Sequence, residues 1–470
     1  MTQTASTTEA APIDLGTRKI STLLRQYAVP GIIAQTAASL YNMVDSIYIG
    51  LIPGVGSAAI SGLAVTFPLM NLSAAIGTLV GVGAMTLISV LLGQRNYGAA
   101  QKILSNVLTL NLVIGAAFSV VTLSFLDPIL RFFGASDATL PFARDYMFII
   151  LLGNAFTHLY HGFNGLIRSS GHPRTAMALT LFTVLANALL DPVFIFVLGL
   201  GIRGAALATI LCQLAALGYT FWFFFDRRRL LHFTRPVFQI DRRIAKQSLA
   251  IGIGPFLMNV AASLVALFIN QQLGRYGGDL SIGAYGIINR LAMFFVMICM
   301  GFNQGLQPIA GYNYGARQYS RVKEIFVLTA KWEVLVTTLC FLMSEFIPRT
   351  AVSLFTSDPE LIGLAARGLR IMNIGFALVG FGMVTGNFFQ CLGMVRKSIF
   401  LSLSRQLLFL LPLIYTLPLW LQETGVWVSF PISDTLNVII SAVMIARLFR
   451  KFDRLHDGEL PDILGSTIQS

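Results

Sequence analysis

The sequence predicts an all-α polytopic membrane protein with twelve transmembrane helices in two pseudo-symmetric six-helix bundles. Of the 470 residues, 55% are hydrophobic and only 11% are charged, whereas soluble domains carry about 25% charged residues. Apolar runs long enough to cross a bilayer as helices follow one another along the chain. Short motifs of the first half also recur in the second half. We therefore expect lipid to surround most of the chain.

Twelve apolar runs predict the spans, and the Gly and Pro residues inside them are tolerated by helices in lipid. A basic loop between the sixth and seventh runs divides the chain into two bundles. The predicted domains are a cytoplasmic tail (1–25), the N-terminal bundle (26–226), a basic cytoplasmic linker (227–247), the C-terminal bundle (248–450) and a second cytoplasmic tail (451–470). The predicted spans are 27–50, 58–82, 103–126, 143–165, 175–198, 204–225, 248–270, 282–308, 325–347, 363–388, 398–420 and 427–448.

The distribution of Lys and Arg predicts the orientation. These residues concentrate in both tails, in the linker and in alternate short loops, as the positive-inside rule describes for cytoplasmic segments. We therefore expect a multi-pass protein of the plasma membrane, most simply a bacterial inner membrane, with both termini in the cytoplasm. The net charge of +12 lies in these clusters and not on one folded face, which argues against a nucleic-acid partner.

Four short motifs recur in order at nearly constant separation, which indicates an internal duplication. Because each half holds an even number of spans, the repeats are expected to be parallel, with a substrate site between them. The matched pairs are Ala38-Ser39-Leu40 with Ala262-Ser263-Leu264, Asn96-Tyr97-Gly98-Ala99 with Asn313-Tyr314-Gly315-Ala316, Ser136-Asp137 with Ser357-Asp358, and Gly171-x-x-Arg174 with Gly393-x-x-Arg396.

Asp45, Asp191 and Asp434 lie well inside apolar runs. A charge at the bilayer centre costs on the order of 2.5–3.5 kcal/mol, so each acid needs a reason to be there. Asp45 and Asp191 lie at similar depths below the outer ends of the first and fifth spans, because each residue of a helix advances only a short distance along its axis. Asn187 lies one turn before Asp191, and Thr209 reaches a similar depth in the sixth span. Together these side chains predict an oxygen-lined site for Na⁺ or for an exchangeable proton, against the alternative of purely structural hydrogen bonds.

Pro192 directly follows Asp191 and lacks the N–H that would bind the Ala188 carbonyl, so an extra oxygen and a bend are expected there. Asp434 has two interpretations, a functional role or a structural ion pair with Arg290 in the eighth span, and the ion pair is the simpler expectation. Glu333, beside Lys331 in the ninth span, is expected to extend to the cytoplasmic interface.

Asn154, His158 and His161 form a polar stripe along the fourth span, which favours packing between helices over metal binding. The four cysteines lie in apolar runs without metal-ligand spacing. No nucleotide-binding loop, zinc-protease motif or nucleophile elbow occurs in the sequence, so we predict neither an enzyme nor an ATP-driven pump, and no cofactor. A channel remains an alternative, but no filter motif supports it.

The residues resemble the MATE family of multidrug and toxic compound extrusion transporters, and its DinF/MepA-like branch in particular. The resemblance covers about residues 20–450. It rests on Leu40-Tyr41-Asn42-Met43-Val44-Asp45 leading to Gly50, on Gly93-Gln94, on Arg168-x-x-Gly171, on Asn187 through Phe196 and on Gly201-x-x-Gly204-Ala205-Ala206-x-Ala208-Thr209.

The resemblance implies a monomeric antiporter that exports drugs and organic cations in exchange for H⁺ or Na⁺, without a cofactor. It implies that Asp45, Asn187, Asp191 and Thr209 bind the coupling ion. Tyr41, Asn42, Asn154, His158, His161, Arg290 and Asp434 are candidates for the substrate cavity or for structural polar contacts. Other members of the family carry acids in the seventh and tenth spans, which this sequence lacks. A flippase for lipid-linked oligosaccharides or lipids, from the same superfamily, is the alternative function.

Overall fold

The computed structural model describes residues 14–234, 236–455 and 457–458, apart from the side chains of Asp14, Asn42 and Met43. Most of these residues are helical, and no strand occurs among them. The outer parts of the two predicted tails lie outside the described residues. The architecture is the predicted all-α class.

The first half of the described chain contains seven α-helices, of which α4 is short and connects two long helices. A π-helical turn, Val193–Val197, extends the sixth helix directly after Pro192. The helices are α1 (Ile20–Gly50), α2 (Gly56–Gly93), α3 (Tyr97–Ser124), α4 (Leu126–Phe132), α5 (Leu140–Ser169), α6 (Pro173–Pro192) and α7 (Ile202–Phe225).

The second half begins with a helix of 74 residues that is broken at Gly278, where φ is 70° and ψ is −169°. Glycine adopts this conformation at low cost because it has no Cβ. A second π-helical turn, Ser404–Leu410, follows α13. The helices are α8 (Arg242–Gly315), α9 (Tyr319–Phe346), α10 (Pro348–Ser353), α11 (Pro359–Asn373), α12 (Phe376–Cys391), α13 (Val395–Leu403), α14 (Leu411–Thr416), α15 (Pro418–Leu421) and α16 (Glu423–Phe452).

The helices account for the twelve predicted spans. By length and composition, eight described helices are apolar enough to cross a membrane, and the pair α11 and α12, bent by 53°, adds a ninth. The eight include α8, which contains the seventh and eighth spans on either side of Gly278. The helices α1 and α5 are long enough, but their composition falls short of the same test because they carry many polar residues. The fold is thus a twelve-helix, two-bundle membrane fold.

Close packing divides the described chain into two compact units. The first unit contains residues 37–252 and 311–316, together with the described residues up to Lys19. The second contains 20–36, 253–310 and 317 to the end of the described chain. Each has its own apolar core, which includes Tyr146 and Met147 in the first unit and Leu369 and Trp427 in the second. The predicted boundaries at 226 and 248 remain predictions.

The backbone of the first half recurs in the second half at a nearly constant separation along the chain. The short helix α4 corresponds to α10, and Gly93-x-Arg95-x-Tyr97 corresponds to Gly315-x-Arg317-x-Tyr319. Gly201 before α7 has φ 56° and ψ −137°, and Gln422 before α16 has φ 51° and ψ −134°. Positive φ values recur at three pairs, Arg95 and Arg317, Gly171 and Gly393, and Gly201 and Gln422.

One of the four sequence matches is not part of this repeat. Asn96 precedes α3, and its side chain accepts a hydrogen bond of 3.2 Å from the backbone N–H of Ala99. Asn313, in contrast, lies in the last turn of α8. The recurrence of the tetrapeptide Asn-Tyr-Gly-Ala therefore does not join equivalent positions, because one copy begins a helix and the other ends one.

Candidate cation site

Asp45 and Asp191 lie together inside the first unit. Asp45 is near the end of α1 and is 5% exposed, while Asp191 is near the end of α6 and is 0% exposed. The two carboxyl groups are close enough to interact electrostatically. Neither acid forms an ion pair with a Lys or Arg in the described part of the chain. Two carboxyl groups thus share one buried space without a protein cation.

Thr209 connects the helices around these acids. Its hydroxyl, on α7, lies 2.8 Å from the hydroxyl of Tyr41 on α1. The Nδ2 of Asn187, on α6, donates to the same Thr209 Oγ1 at 3.2 Å. Asn187 and Thr209 are 2% and 8% exposed. The side chain of Asn42 lies outside the described residues, so its predicted contribution remains a prediction.

Several oxygens of this group have no hydrogen-bond partner among the described residues, namely Asp45 Oδ1, both carboxyl oxygens of Asp191 and Asn187 Oδ1. Buried polar atoms in proteins are normally satisfied, so a group of unsatisfied oxygens calls for a ligand. Oxygen atoms are the ligands that hard cations prefer, and two adjacent carboxyl groups can also share a proton. The arrangement can therefore hold a proton or a small cation.

A model of the MatE family matches residues 30–193 and 255–416 of the chain. The chain belongs to the MATE family. The multidrug export protein MepA of Staphylococcus haemolyticus (strain JCSC1435) is 28% identical over 426 residues, which cover 90% of this MATE protein and 93% of that relative. MepA of Staphylococcus aureus (strain MSSA476) is 27% identical over 432 residues, which cover 92% and 94% of the two chains.

Solved structures agree with this membership. The MATE multidrug transporter DinF-BH, solved in complex with a ligand, is 34% identical, with a TM-score of 0.85 over 94% of this chain and 98% of that one. An outward-facing MATE family transporter of the MOP superfamily has a TM-score of 0.88 over 95% and 99% of the two chains, at 23% identity. The second likeness establishes the fold, which is the twelve-helix MATE fold.

Tyr146 is a member of the site that sequence reasoning missed in this MATE protein. It lies on α5, is 2% exposed, and its ring is close to Asp45, Asp191 and Tyr41. It directly follows Arg144 and Asp145 at the start of an apolar run, so its sequence position alone did not indicate that it contacts the buried acids. The predicted depth of Tyr146 could have indicated it, because Tyr146 lies about two turns after the first residue of α5, Asp45 lies at a similar distance before the last residue of α1, and both helix ends are predicted to lie on the same side of the membrane.

The predicted polar stripe of the fourth span lies on α5, and its three residues do not share one environment. Ser73 Oγ on α2 donates to Asn154 Oδ1 at 2.6 Å and lies 3.2 Å from His158 Nε2. His161 is exposed and packs its ring against Tyr160, with centroids 5.0 Å apart. Asn154 and His158 thus form a helix-packing contact that His161 does not join.

Asp434 pairs with Arg405, and the expected pair with Arg290 is wrong. Arg405 Nε donates to Asp434 Oδ1 at 2.6 Å, and Asp434 is 3% exposed. Arg290 is exposed on α8. The reason is local: Arg405 lies in the π-helical turn Ser404–Leu410, which packs against α16, and this turn brings the guanidinium to the carboxylate.

Glu333 also differs from its expected position at the cytoplasmic interface. It is 0% exposed and lies near the middle of α9. Its neighbour Lys331 is exposed on another face of the same helix. The helix α9 begins at Tyr319, before the predicted start of the span at 325, and this places Glu333 deeper within the helix than expected.

Proposed function

We propose that this MATE protein is a multidrug efflux antiporter that exports lipophilic, often cationic molecules in exchange for H⁺ or Na⁺. The observation that carries the proposal is the pair Asp45 and Asp191, buried in the first unit without a cationic side chain. Relatives over nearly the whole chain are named multidrug export proteins, and a multidrug transporter 34% identical was solved with a ligand. We place the protein in a bacterial inner membrane as a monomer with both termini in the cytoplasm.

In the proposed cycle the coupling ion and the drug favour different access states. A proton or Na⁺ from outside binds the Asp45 and Asp191 pair and reduces its negative charge by one, and release of that ion to the cytoplasm restores the original charge. Exchange requires the ion to bind the two states with different free energies, since equal binding shifts no equilibrium. A membrane potential adds about 2.3 kcal/mol per charge per 100 mV when the exchange moves net charge. Alternating access then converts the ion gradient into drug export.

The residues around the acids have supporting roles in this proposal. Thr209, Asn187 and Tyr41 hold α1, α6 and α7 together beside the carboxyl groups. Asn187 Oδ1 and the oxygens of Asp191, which have no partner among described residues, would contact the ion. A lipid or oligosaccharide flippase is not favoured, because the named relatives are drug exporters.

The test uses purified protein in proteoliposomes with separately imposed Na⁺ and pH gradients and a fluorescent cationic dye. We expect one of the two gradients to drive dye movement by the wild type, and we expect Asp45→Asn and Asp191→Asn to reduce it at least tenfold. Asp137→Asn is the matched control, because Asp137 is an exposed acid paired with Arg131 at 2.8 Å. Wild-type rates in both site variants would contradict the proposal.

A further inference from the structure

Glu333 is a buried acid with no compensating partner in the second unit. It lies near the middle of α9 and is 0% exposed. Neither carboxyl oxygen of Glu333 has a hydrogen-bond partner among the described residues. No described Lys or Arg forms an ion pair with Glu333. Burying an isolated carboxylate in such surroundings has a large free-energy cost, whereas burying the protonated acid does not. We therefore expect Glu333 to be protonated while it is shielded from water.

A fixed amide faces this carboxyl group. The side chain of Asn303, on α8, lies near the Glu333 carboxyl group. Asn387 Nδ2, on α12, donates to Asn303 Oδ1 at 2.9 Å and to the Asn303 carbonyl at 3.3 Å. Because Asn303 Oδ1 is engaged, the Nδ2 of Asn303 is left as a donor for Glu333. An N–H donor favours the ionised form of a carboxyl group, so the site accommodates both protonation states.

The backbone around Glu333 is tightly packed. Thr337 Oγ1 donates to the Glu333 carbonyl at 3.0 Å, and Cys299 Sγ lies 4.0 Å from the same oxygen. A Cβ on Gly380 of α12 would lie 2.6 Å from that oxygen. These contacts fix the position of the helix segment that carries the acid, so the carboxyl group cannot reach a membrane surface without a rearrangement of the bundle.

The charged and titratable groups of the neighbouring helices do not neutralise Glu333. On α8, Cys299 is its titratable neighbour, and Arg290 is exposed; α12 contains no charged residue. On α11, Arg370 donates to the carbonyl of Glu345, which lies more than three helical turns further along α9. On α16, Asp434 is paired with Arg405, and Arg447 is exposed.

We propose that Glu333 is a second proton-binding site of the transport cycle, separate from the Asp45 and Asp191 site. This inference rests on the proposed antiport and adds a site to it. When the second unit opens to water, the O–H bond of the acid breaks and the proton passes to water. The carboxylate that remains accepts a hydrogen bond from Asn303 Nδ2. Protonation from the other side reverses the step.

The internal repeat supplies a reference for the test. Asn111 on α3 is the counterpart of Glu333, because it follows Tyr97 by as many residues as Glu333 follows Tyr319. It is 1% exposed and likewise has no side-chain partner among the described residues. A neutral amide therefore fits the equivalent position of the first repeat. We expect Glu333→Gln to fold, and Glu324→Gln is the matched control, because Glu324 is exposed on the same helix.

The first measurement is an infrared pH titration of the carbonyl stretch of protonated carboxylic acids, in a D45N/D191N background. We expect a band that titrates with pH, that is lost in the triple variant with Glu333→Gln, and that is kept with Glu324→Gln. A band that never titrates, or that survives Glu333→Gln, would overturn the inference. This readout requires no transport activity.

The second measurement is the number of protons exchanged per dye molecule, obtained from the pH gradient at which dye flux reverses. We expect Glu333→Gln to couple one proton fewer than the wild type and than Glu324→Gln. Equal values in the wild type and Glu333→Gln would overturn this inference alone, as would a wild type coupled only to Na⁺. A wild type that responds to neither gradient would overturn the antiport proposal itself.

Discussion

The buried acids of this chain differ in what compensates them. Asp434 is neutralised by Arg405 at 2.6 Å, and such a pair is stable as long as both members remain. Asp45 and Asp191 lie close to each other, and Glu333 lies near the amide of Asn303, with no Lys or Arg paired to any of the three in the described part of the chain. The charge of Asp434 is balanced by Arg405 within the protein. The other two groups of acids need a proton or a cation from outside the protein to balance their charge. This difference favours a structural role for Asp434 and is consistent with the ion coupling that we propose for the other three.

Thr209 offers a prediction about a single side chain. We expect Thr209→Val to lower the free energy of unfolding by about 1–3 kcal/mol, because Asn187 Nδ2 and Tyr41 lose their hydrogen-bond partner inside the bundle. We also expect weaker ion-driven dye transport. The measurements are reversible unfolding in mixed detergent and transport in proteoliposomes.

Thr220→Val is the control for that substitution. Thr220 lies on the same helix, is 0% exposed, and donates only to the Leu217 carbonyl one turn earlier. Its loss removes a local bond and leaves no side chain of another helix without a partner. If Thr209→Val were as stable and as active as Thr220→Val, the proposed linking role of Thr209 would be refuted.

Among the helices, irregular turns lie beside the polar groups. The π-helical turn Val193–Val197 follows Asp191 and Pro192, and the turn Ser404–Leu410 contains Arg405. Such turns are frequent at functional sites, because they redirect side chains within a helix. Proline starts the first one by removing a backbone donor. In each unit an irregular turn therefore lies beside a buried acid: the first follows Asp191, and the second contains Arg405, the partner of Asp434.

Contact between α9 and α12 gives a prediction about helix packing. We expect Gly380→Ala to lower the free energy of unfolding by about 1–3 kcal/mol, since the added Cβ would lie 2.6 Å from the Glu333 carbonyl oxygen and the two helices must separate. Gly363→Ala on α11 is the control: a Cβ there meets nothing within 4 Å. We expect this control to be neutral or stabilised by up to about 1 kcal/mol. Equal stability of both variants in detergent unfolding would contradict the close approach.

Taken as a whole, the molecule consists of two repeats whose backbones match in order, including the short helices α4 and α10. The two compact units nevertheless do not coincide with the two halves of the sequence, because residues 20–36 belong to the second unit and 311–316 to the first. Parallel repeats of this kind are one of the architectures of secondary transporters. Only the first repeat carries the paired acids.

The orientation of the whole chain can be tested with single cysteines. The native cysteines are all buried, so background labelling should be low. We expect Arg227→Cys, in the basic linker, to react with a membrane-impermeant maleimide only from the cytoplasmic side. We expect Ser136→Cys, in an exposed loop on the other side, to react only from outside in intact cells. The reverse pattern would refute cytoplasmic termini.

The order of amino acids was sufficient to predict the fold class, the spans and the duplication. Charge is expensive in lipid and a span needs about 20 apolar residues, so the pattern of hydropathy leaves few alternatives. The same cost drew attention to Asp45 and Asp191, which share one site in the structure. Motif matching was less secure, since the tetrapeptide at Asn96 and Asn313 joins positions that are not equivalent.

The partner of each buried polar group became known only from the packed helices. Arg405 and not Arg290 reaches Asp434, Tyr146 lies near the acids although it follows two charged residues at the start of its apolar run, and Glu333 lies in the interior of its bundle. The physical reason is that a pairing depends on helix rotation, on irregular turns and on contacts between segments distant in the chain. Hydropathy is a property of each segment alone and carries none of that information.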